Sequence, residues 1–313
     1  MRRFATSPCE LWHPPFICAP PVLRILTRVL ARPLRVLTAV FTLVGCGVSV
    51  GGEASATPVV NTAGVLPFAG LQRTYEVHVP PGIAHPAGLV INLHGAGQTG
   101  SAQAAATNYN AVADRFGFAV VYPDGIDFSW ADGRGASVPD RQGVDDVGFL
   151  VALADRLTHD YGIPPGHVFA TGMSAGAFMA TRLACDRADV VAAIAPVAGS
   201  LGSAASCAPS RPVSVLATHG VADPVVPYGG GGMVGRGGPS DIVAPPAMAE
   251  RWRALDGCPG VPVEEVVSAG VRFTSSGCAD GTEVVFVRVD GGGHEWFGGS
   301  SEAGAQFFAA HAR

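Results

Sequence analysis

The sequence predicts an α/β fold, a single domain whose mostly parallel central sheet is flanked by helices. Three observations predict it. Near-continuous apolar runs, Gly88-Leu-Val-Ile-Asn-Leu-His94 and Phe118-Ala-Val-Val-Tyr122, suit strands covered on both faces, as parallel sheets are. Helical stretches separate such runs, and strands alternating with helices imply parallel crossovers. Finally, the apolar strand His167-Val-Phe-Ala-Thr171 runs straight into an Ala-rich helix, Ala175 to Cys185, through Gly172-Met-Ser174-Ala-Gly176.

That junction carries the chemistry. A strand entering a helix without a loop forces a tight, strained turn, which lifts the residue at its tip above the sheet. Glycines two positions either side remove the Cβ atoms that would collide where strand and helix cross. Ser174 is therefore the candidate nucleophile, the plainer alternative being a serine that caps a helix of small residues. The turn reads as the nucleophile elbow of an α/β-hydrolase fold.

With 313 residues, 48% hydrophobic and 14% charged, the chain can bury a sizeable core. All 20 of its basic residues are arginine. Residues 1–45 carry a formal +5, which leaves about −10 on residues 46–313. An acidic domain without a basic patch argues against a nucleic-acid partner. Residues 1–45 read as a leader. Arg24, Arg28, Arg32 and Arg35 precede the apolar run Val36 to Val44, which is too short to span a bilayer and has the order of an export signal. It ends in Leu43-Val-Gly-Cys46, a lipobox-like tetrapeptide that makes Cys46 the expected lipid attachment site. The only membrane contact expected is that anchor. Residues 46–57 are small and polar, as a tether should be, and the hydrolase domain is expected over 58–313. Beyond Cys46 stand Cys185, Cys207, Cys258 and Cys278. An even number in an exported domain suggests two disulfides, and sequence proximity favours Cys185–Cys207 with Cys258–Cys278 among three connectivities. No C-x-x-C or His pair stands at ligand spacing, so no metal site is expected.

Along the domain, Gln72 to Val79 alternates polar and apolar residues like an edge strand. After the Gly88–His94 strand, His94-Gly-Ala-Gly97 lies where the fold needs a backbone N–H aimed at a developing oxyanion. Ala96 is the favoured donor, with Gly97 the neighbouring alternative, and Ala175 supplies the matching amide after the nucleophile. His94 itself reads as structural. A helical stretch continues to Asp114. Trp130, in the loop after Tyr122-Pro-Asp-Gly125, either walls a substrate pocket or covers the core. Asp145 or Asp146 caps a helix reaching about Asp160. Val190–Ala195 and Val213–Thr218 read as further core strands. The second leads into His219-Gly-Val-Ala-Asp223-Pro, whose Asp223 stands where an acid can orient an imidazole, or simply forms an Asx turn. Gly229 to Gly238 holds seven glycines and reads as a mobile loop at the site's rim. Ala244 to Leu255 is helical. Val263–Val267, Val271–Thr274 and Thr282–Val289 are the last strands. They deliver Asp290-Gly-Gly-Gly-His294-Glu-Trp296, in which His294 is the candidate general base, Glu295 a rival acid, and Trp296 a second pocket wall. The order Ser174…Asp223…His294 is the one this fold uses.

Together, Leu93-His-Gly-Ala-Gly97, Tyr122-Pro-Asp-Gly125, Val144-Asp-Asp-Val-Gly-Phe149, Gly172-Met-Ser-Ala-Gly176, His219 to Tyr228, Trp252 with Gly257-Cys258, and Gly292-Gly-His-Glu-Trp296 resemble one group of α/β-hydrolases. It is the extracellular polyhydroxybutyrate depolymerases and feruloyl or acetylxylan esterases. The resemblance covers roughly residues 66–300 and implies an exported serine esterase. In it Ser174 is nucleophile, His294 general base and Asp223 its orienter, acting on a small or oligomeric ester without a cofactor. The runner-up readings are an acyltransferase using the same acyl-enzyme and a non-catalytic envelope-binding lipoprotein.

Overall fold

The computed structural model describes residues 61–313; the leader, the tether and Cys46 lie outside the described residues. Residues 61–313 belong to one compact unit. The chain opens with strands β1 (Thr62–Phe68), β2 (Leu71–His78) and β3 (Gly88–Leu93). Helices α1 (Gly100–Thr107) and α2 (Tyr109–Phe116) follow, then β4 (Phe118–Pro123), α3 (Val138–Gln142) and α4 (Asp146–Tyr161). Next come β5 (Val168–Met173), α5 (Ala175–Asp186), β6 (Ala193–Val197) and β7 (Ser214–Gly220). The last part holds β8 (Gly231–Gly235), β9 (Gly238–Ile242), α6 (Pro245–Leu255), β10 (Val263–Val267), β11 (Gly270–Ser275), β12 (Val284–Val289) and α7 (Ser300–Ala310).

Ten strands make one sheet in the order β1-β2-β4-β3-β5-β6-β7-β12-β11-β10. The six from β4 to β12 run parallel, and antiparallel pairs close both flanks. Apolar side chains of α4, α5 and α6 bury one face of the sheet, and those of α2 and α7 the other. Because β3 to β7 are covered on both sides, they read as apolar runs rather than as alternation. All parallel strands present their C-terminal ends to one edge, where an open α/β sheet collects its chemistry.

Several elements depart from the sequence reading. Strand β1, outside β2, contains Gly64 and Pro67, tolerated there because an edge needs fewer ladder bonds. The strand expected at Val190–Ala195 starts later, since Val190 and Val191 turn back to the Arg187 carbonyl. The glycine-rich segment is not a loose loop but a hairpin, β8–β9. Its ladder satisfies the backbone. Met233 and Ile242 pack with Phe178 and Val226, and Arg141 Nη1 donates to the Gly237 carbonyl at 2.9 Å. Helix α7 is absent from the sequence reading; its Phe308 stacks on Phe169 with ring centroids 4.8 Å apart.

The cap of α4 is Asp145, which accepts from the Gly148 amide at 2.7 Å. That frees Asp146 to turn inward, where Arg73 of β2 meets it at 2.7 Å with both side chains buried. The same carboxylate accepts from the Ala131 amide at 2.7 Å, and the guanidinium lies 3.8 Å above the Phe149 ring. The pair therefore ties strand β2, a helix and the Trp130 loop together. Removing one partner would strand a buried charge, at a cost of about 3–5 kcal/mol.

Disulfides join Cys185 to Cys207 and Cys258 to Cys278, fixing the far end of α5 and the turn before β12. Loops of this length are each worth about 3 kcal/mol on a chain-entropy model, and such bonds fit an exported protein.

Asp256, at the end of α6, is fully buried; one oxygen accepts from the Val213 amide at 3.1 Å, while the other has no partner among the described residues. Burial pushes its carboxyl up to about 6. Between the ordinary aspartate value and about 6, the folded protein binds a proton that the unfolded chain does not. Stability from this group is thus complete in acid and lost as pH rises through about 6. Asp256→Asn keeps the Val213 contact and is expected to remove that part of the pH slope. Melting curves of both proteins across pH 4–7 should converge at the acid end and separate in the variant's favour at neutrality.

Candidate active site

Ser174 sits between β5 and α5 with φ 54° and ψ −119°, a conformation that costs a non-glycine residue about 1–3 kcal/mol. The surroundings hold it there. Its amide donates to the Val197 carbonyl, and its own carbonyl accepts from Phe178, both at 3.0 Å. The flanking glycines are required: a Cβ on Gly172 would lie 2.6 Å from the Leu93 carbonyl oxygen, and one on Gly176 closer still. Ser174 is half-buried and opens into a cavity of ≈ 240 Å³ that it shares with His294, Ala96 and Ala175.

Asp223 and His294 meet across neighbouring strand ends, β7 and β12. The Ala222 amide donates to the Gly292 carbonyl at 2.9 Å, stapling their loops together. His294 Nδ1 lies 2.8 Å from Asp223 Oδ2. A carboxylate only accepts, so Nδ1 carries the proton and Nε2 keeps its lone pair. The other oxygen, Oδ1, accepts from the Val225 and Val226 amides at 2.8 Å each. Asp223 therefore forms the Asx turn and grips the imidazole at once, one oxygen for each. Burial alone would raise its pKa; the His294 hydrogen bond and the two amides outweigh burial, and the carboxyl ends below the usual aspartate range. Glu295 is exposed and accepts from the Gly293 amide at 3.4 Å instead of touching its neighbour's ring.

His219, which the sequence reading left without a role, stands 3.6 Å from Asp223 Oδ2. Its Nε2–H donates to the Val226 carbonyl at 2.9 Å, closing the Asx turn from behind. Burial lowers its pKa, and likewise that of His94, so both rings stay neutral. His94 Nδ1–H donates to the Gly95 carbonyl at 2.8 Å, and Nε2 accepts from Gly125 at 2.9 Å. It braces the turn that carries Ala96. The Gly97 amide is engaged by the Phe128 carbonyl at 2.8 Å, whereas Ala96 lines the cavity. Ala175, as the first residue of α5, has an amide without an intrahelical acceptor.

Neither tryptophan offered as a pocket wall lines the cavity, and for Trp130 the other reading, that it covers the core, holds. Trp130 is fully buried; its Nε1 donates to the His94 carbonyl at 2.9 Å and its ring packs 4.8 Å from the His94 ring. A loop tryptophan with an N–H partner inside the core is worth more there than at a rim. Trp296 donates to Ser301 Oγ at 3.1 Å and packs between the His294 loop and α7. The cavity walls are instead Arg134, Met233 and Arg236, with Ser129, Ser137 and Val225. Arg134 follows Asp132 by two residues, and the pair is the sole sequence signal that could have flagged it.

Residues 73–293 match the family described as esterase PHB depolymerase, a stretch that takes in Ser174, Asp223, Ala96 and Ala175 and ends one residue before His294. The chain belongs to the esterase PHB depolymerase family. As a member it is a carboxylic ester hydrolase. It is 33% identical over 258 residues to the putative esterase NocK of Nocardia uniformis subsp. tsuyamanensis, covering 77% of this chain and 75% of that protein. To the probable feruloyl esterase C of Aspergillus niger it is 29% identical over 175 residues, spanning 55% of each. In structure it resembles the acetyl xylan esterase from Aspergillus awamori, with a TM-score of 0.57 at 15% identity over 79% of this chain and 98% of that one. This likeness establishes the α/β-hydrolase fold of the family member.

Proposed function

We propose that this PHB-depolymerase-family chain is a serine esterase working through an acyl-enzyme. The observation that carries the reading is the 2.8 Å contact of His294 Nδ1 with Asp223, which aims the basic Nε2 into the cavity that holds Ser174. Ser174 Oγ attacks the ester carbonyl as its proton passes to His294 Nε2. The amides of Ala96 and Ala175 hold the oxyanion, and Asp223 stabilises the imidazolium. The C–O bond to the alcohol breaks, and the alcohol leaves with the proton from His294. Water then gives His294 a proton, attacks the acyl carbon and releases the acid, regenerating Ser174.

The names borne by the relatives point to short acyl, feruloyl or hydroxyalkanoate esters as substrates, and the modest cavity suits one acyl unit at a time. Disulfides and the basic, apolar leader support export, and Leu43-Val-Gly-Cys46 supports lipid attachment at Cys46. The test is turnover of p-nitrophenyl acetate, butyrate and octanoate, methyl ferulate and 3-hydroxybutyrate oligomers, with fluorophosphonate labelling alongside. Turnover with labelling at Ser174 is expected, and the ranking of substrates defines the acyl pocket. A folded protein that neither turns over nor labels would overturn the proposal.

A further inference from the structure

The cavity around Ser174 is cationic in a protein that is not. Arg134 and Arg236 line it, and no carboxylate side chain does among the described residues, although residues 46–313 sum to about −10. The two arginines differ in what they can still do. Asp132 grips Arg134 at Nε (3.0 Å) and Nη2 (2.6 Å), and the Phe178 ring lies 3.9 Å from its guanidinium, so that charge is already matched. Arg236, at the turn of the β8–β9 hairpin, has no carboxylate within 4.0 Å among the described residues.

Arg236 lies against the oxyanion turn. A Cβ placed on Gly97 would stand 3.2 Å from Arg236 Nη1 and 3.3 Å from its Cδ. Gly97 adopts φ +85°, so the turn demands glycine, and the missing side chain lets the guanidinium rest on the backbone beside Ala96. The centroid of the Phe128 ring lies 5.6 Å from the Arg236 guanidinium carbon. Burial of Met233 and the Arg141 contact to Gly237 fix the hairpin that carries it. An unmatched guanidinium is thus held one residue from the amide proposed for the oxyanion, with donors that fit a carboxylate in two-point fashion.

We infer that Arg236 selects esters bearing a carboxylate a few bonds from the scissile carbonyl and binds that carboxylate at the cavity mouth. The inference rests on the serine-esterase reading above. The carboxylate can belong to the acyl part, as in a half-ester of a dicarboxylic acid, or to the alcohol part, as at the free end of a hydroxyalkanoate oligomer.

Two matched pairs separate these sources on the full chain: mono-p-nitrophenyl glutarate against its glutaramate analogue, and the 3-hydroxybutyrate dimer acid against its amide. The readout is the ratio of kcat/KM, acid over amide. On at least one pair the ratio should be about five- to tenfold, as a partly exposed charged contact allows, and added salt should lower it. It should fall to one or below in Arg236→Gln and recover in part in Arg236→Lys. No acid preference on either pair, or a preference that survives in Arg236→Gln, overturns the inference while leaving the esterase reading intact. If no ester is turned over, the esterase reading fails. Calorimetric binding of the dimer acid to Ser174→Ala and to Ser174→Ala with Arg236→Gln then decides alone: weaker binding in the double variant supports the role of Arg236, and equal binding or none in both removes it.

Discussion

Ser174→Ala should lower kcat by about 10⁴-fold or more while the protein keeps its fold. The size follows from what the hydroxyl supplies. Without Oγ no acyl-enzyme forms, and the oxyanion amides are left to assist direct attack by water. The fold should survive because the backbone at residue 174 is held by the Val197 and Phe178 contacts, which do not involve the side chain. Stopped assays on a short-chain p-nitrophenyl ester, with circular dichroism and a melting curve, measure both halves of the expectation. Substantial turnover by a folded Ser174→Ala protein would end the assignment of the nucleophile.

Asp223→Asn is the sharper test, because it changes a proton rather than a shape. The asparagine oxygen can still accept from the Val225 and Val226 amides, so the Asx turn remains. Its NH₂ group then faces His294 Nδ1 as a donor. The imidazole can answer only by presenting a lone pair at Nδ1, which moves its proton to Nε2 and leaves no base for Ser174. A loss of about 10⁴ in kcat is expected from that tautomer alone. The rate of fluorophosphonate labelling should fall with it, since labelling also needs the activated hydroxyl. A drop of less than about tenfold with the turn intact would mean that Asp223 is only a turn residue. His219 would then be the next group to examine, because it also stands within 3.6 Å of that carboxylate.

Much of this was legible in the chain. Strands such as Gly88–Leu93 announce themselves because burial on both faces leaves no polar position to blur the pattern. The elbow is legible because a strained turn packed against the Leu93 carbonyl admits only glycine on both sides. The functions of surface and loop residues were less so. Trp130 and Trp296 are drawn inward by hydrogen-bond partners, the His94 carbonyl and Ser301, that lie 36 and 5 residues away and carry no pattern. The run from Gly229 to Gly238 reads as a mobile loop until Met233 and Ile242 find Phe178 and Val226 to pack on.

The sequence by itself determined the fold class, the order of Ser174, Asp223 and His294, and a cysteine spacing that favours the pairs seen. These depend on local constraints: period, turn strain and short loops. Tertiary structure alone decided which walls surround the nucleophile, that one carboxylate serves both turn and imidazole, and that Arg236 rests beside the oxyanion turn with no carboxylate partner among the described residues. Each of those joins residues from different strand ends, and the distance between them is set by how the sheet twists and the loops pack, which no local pattern encodes.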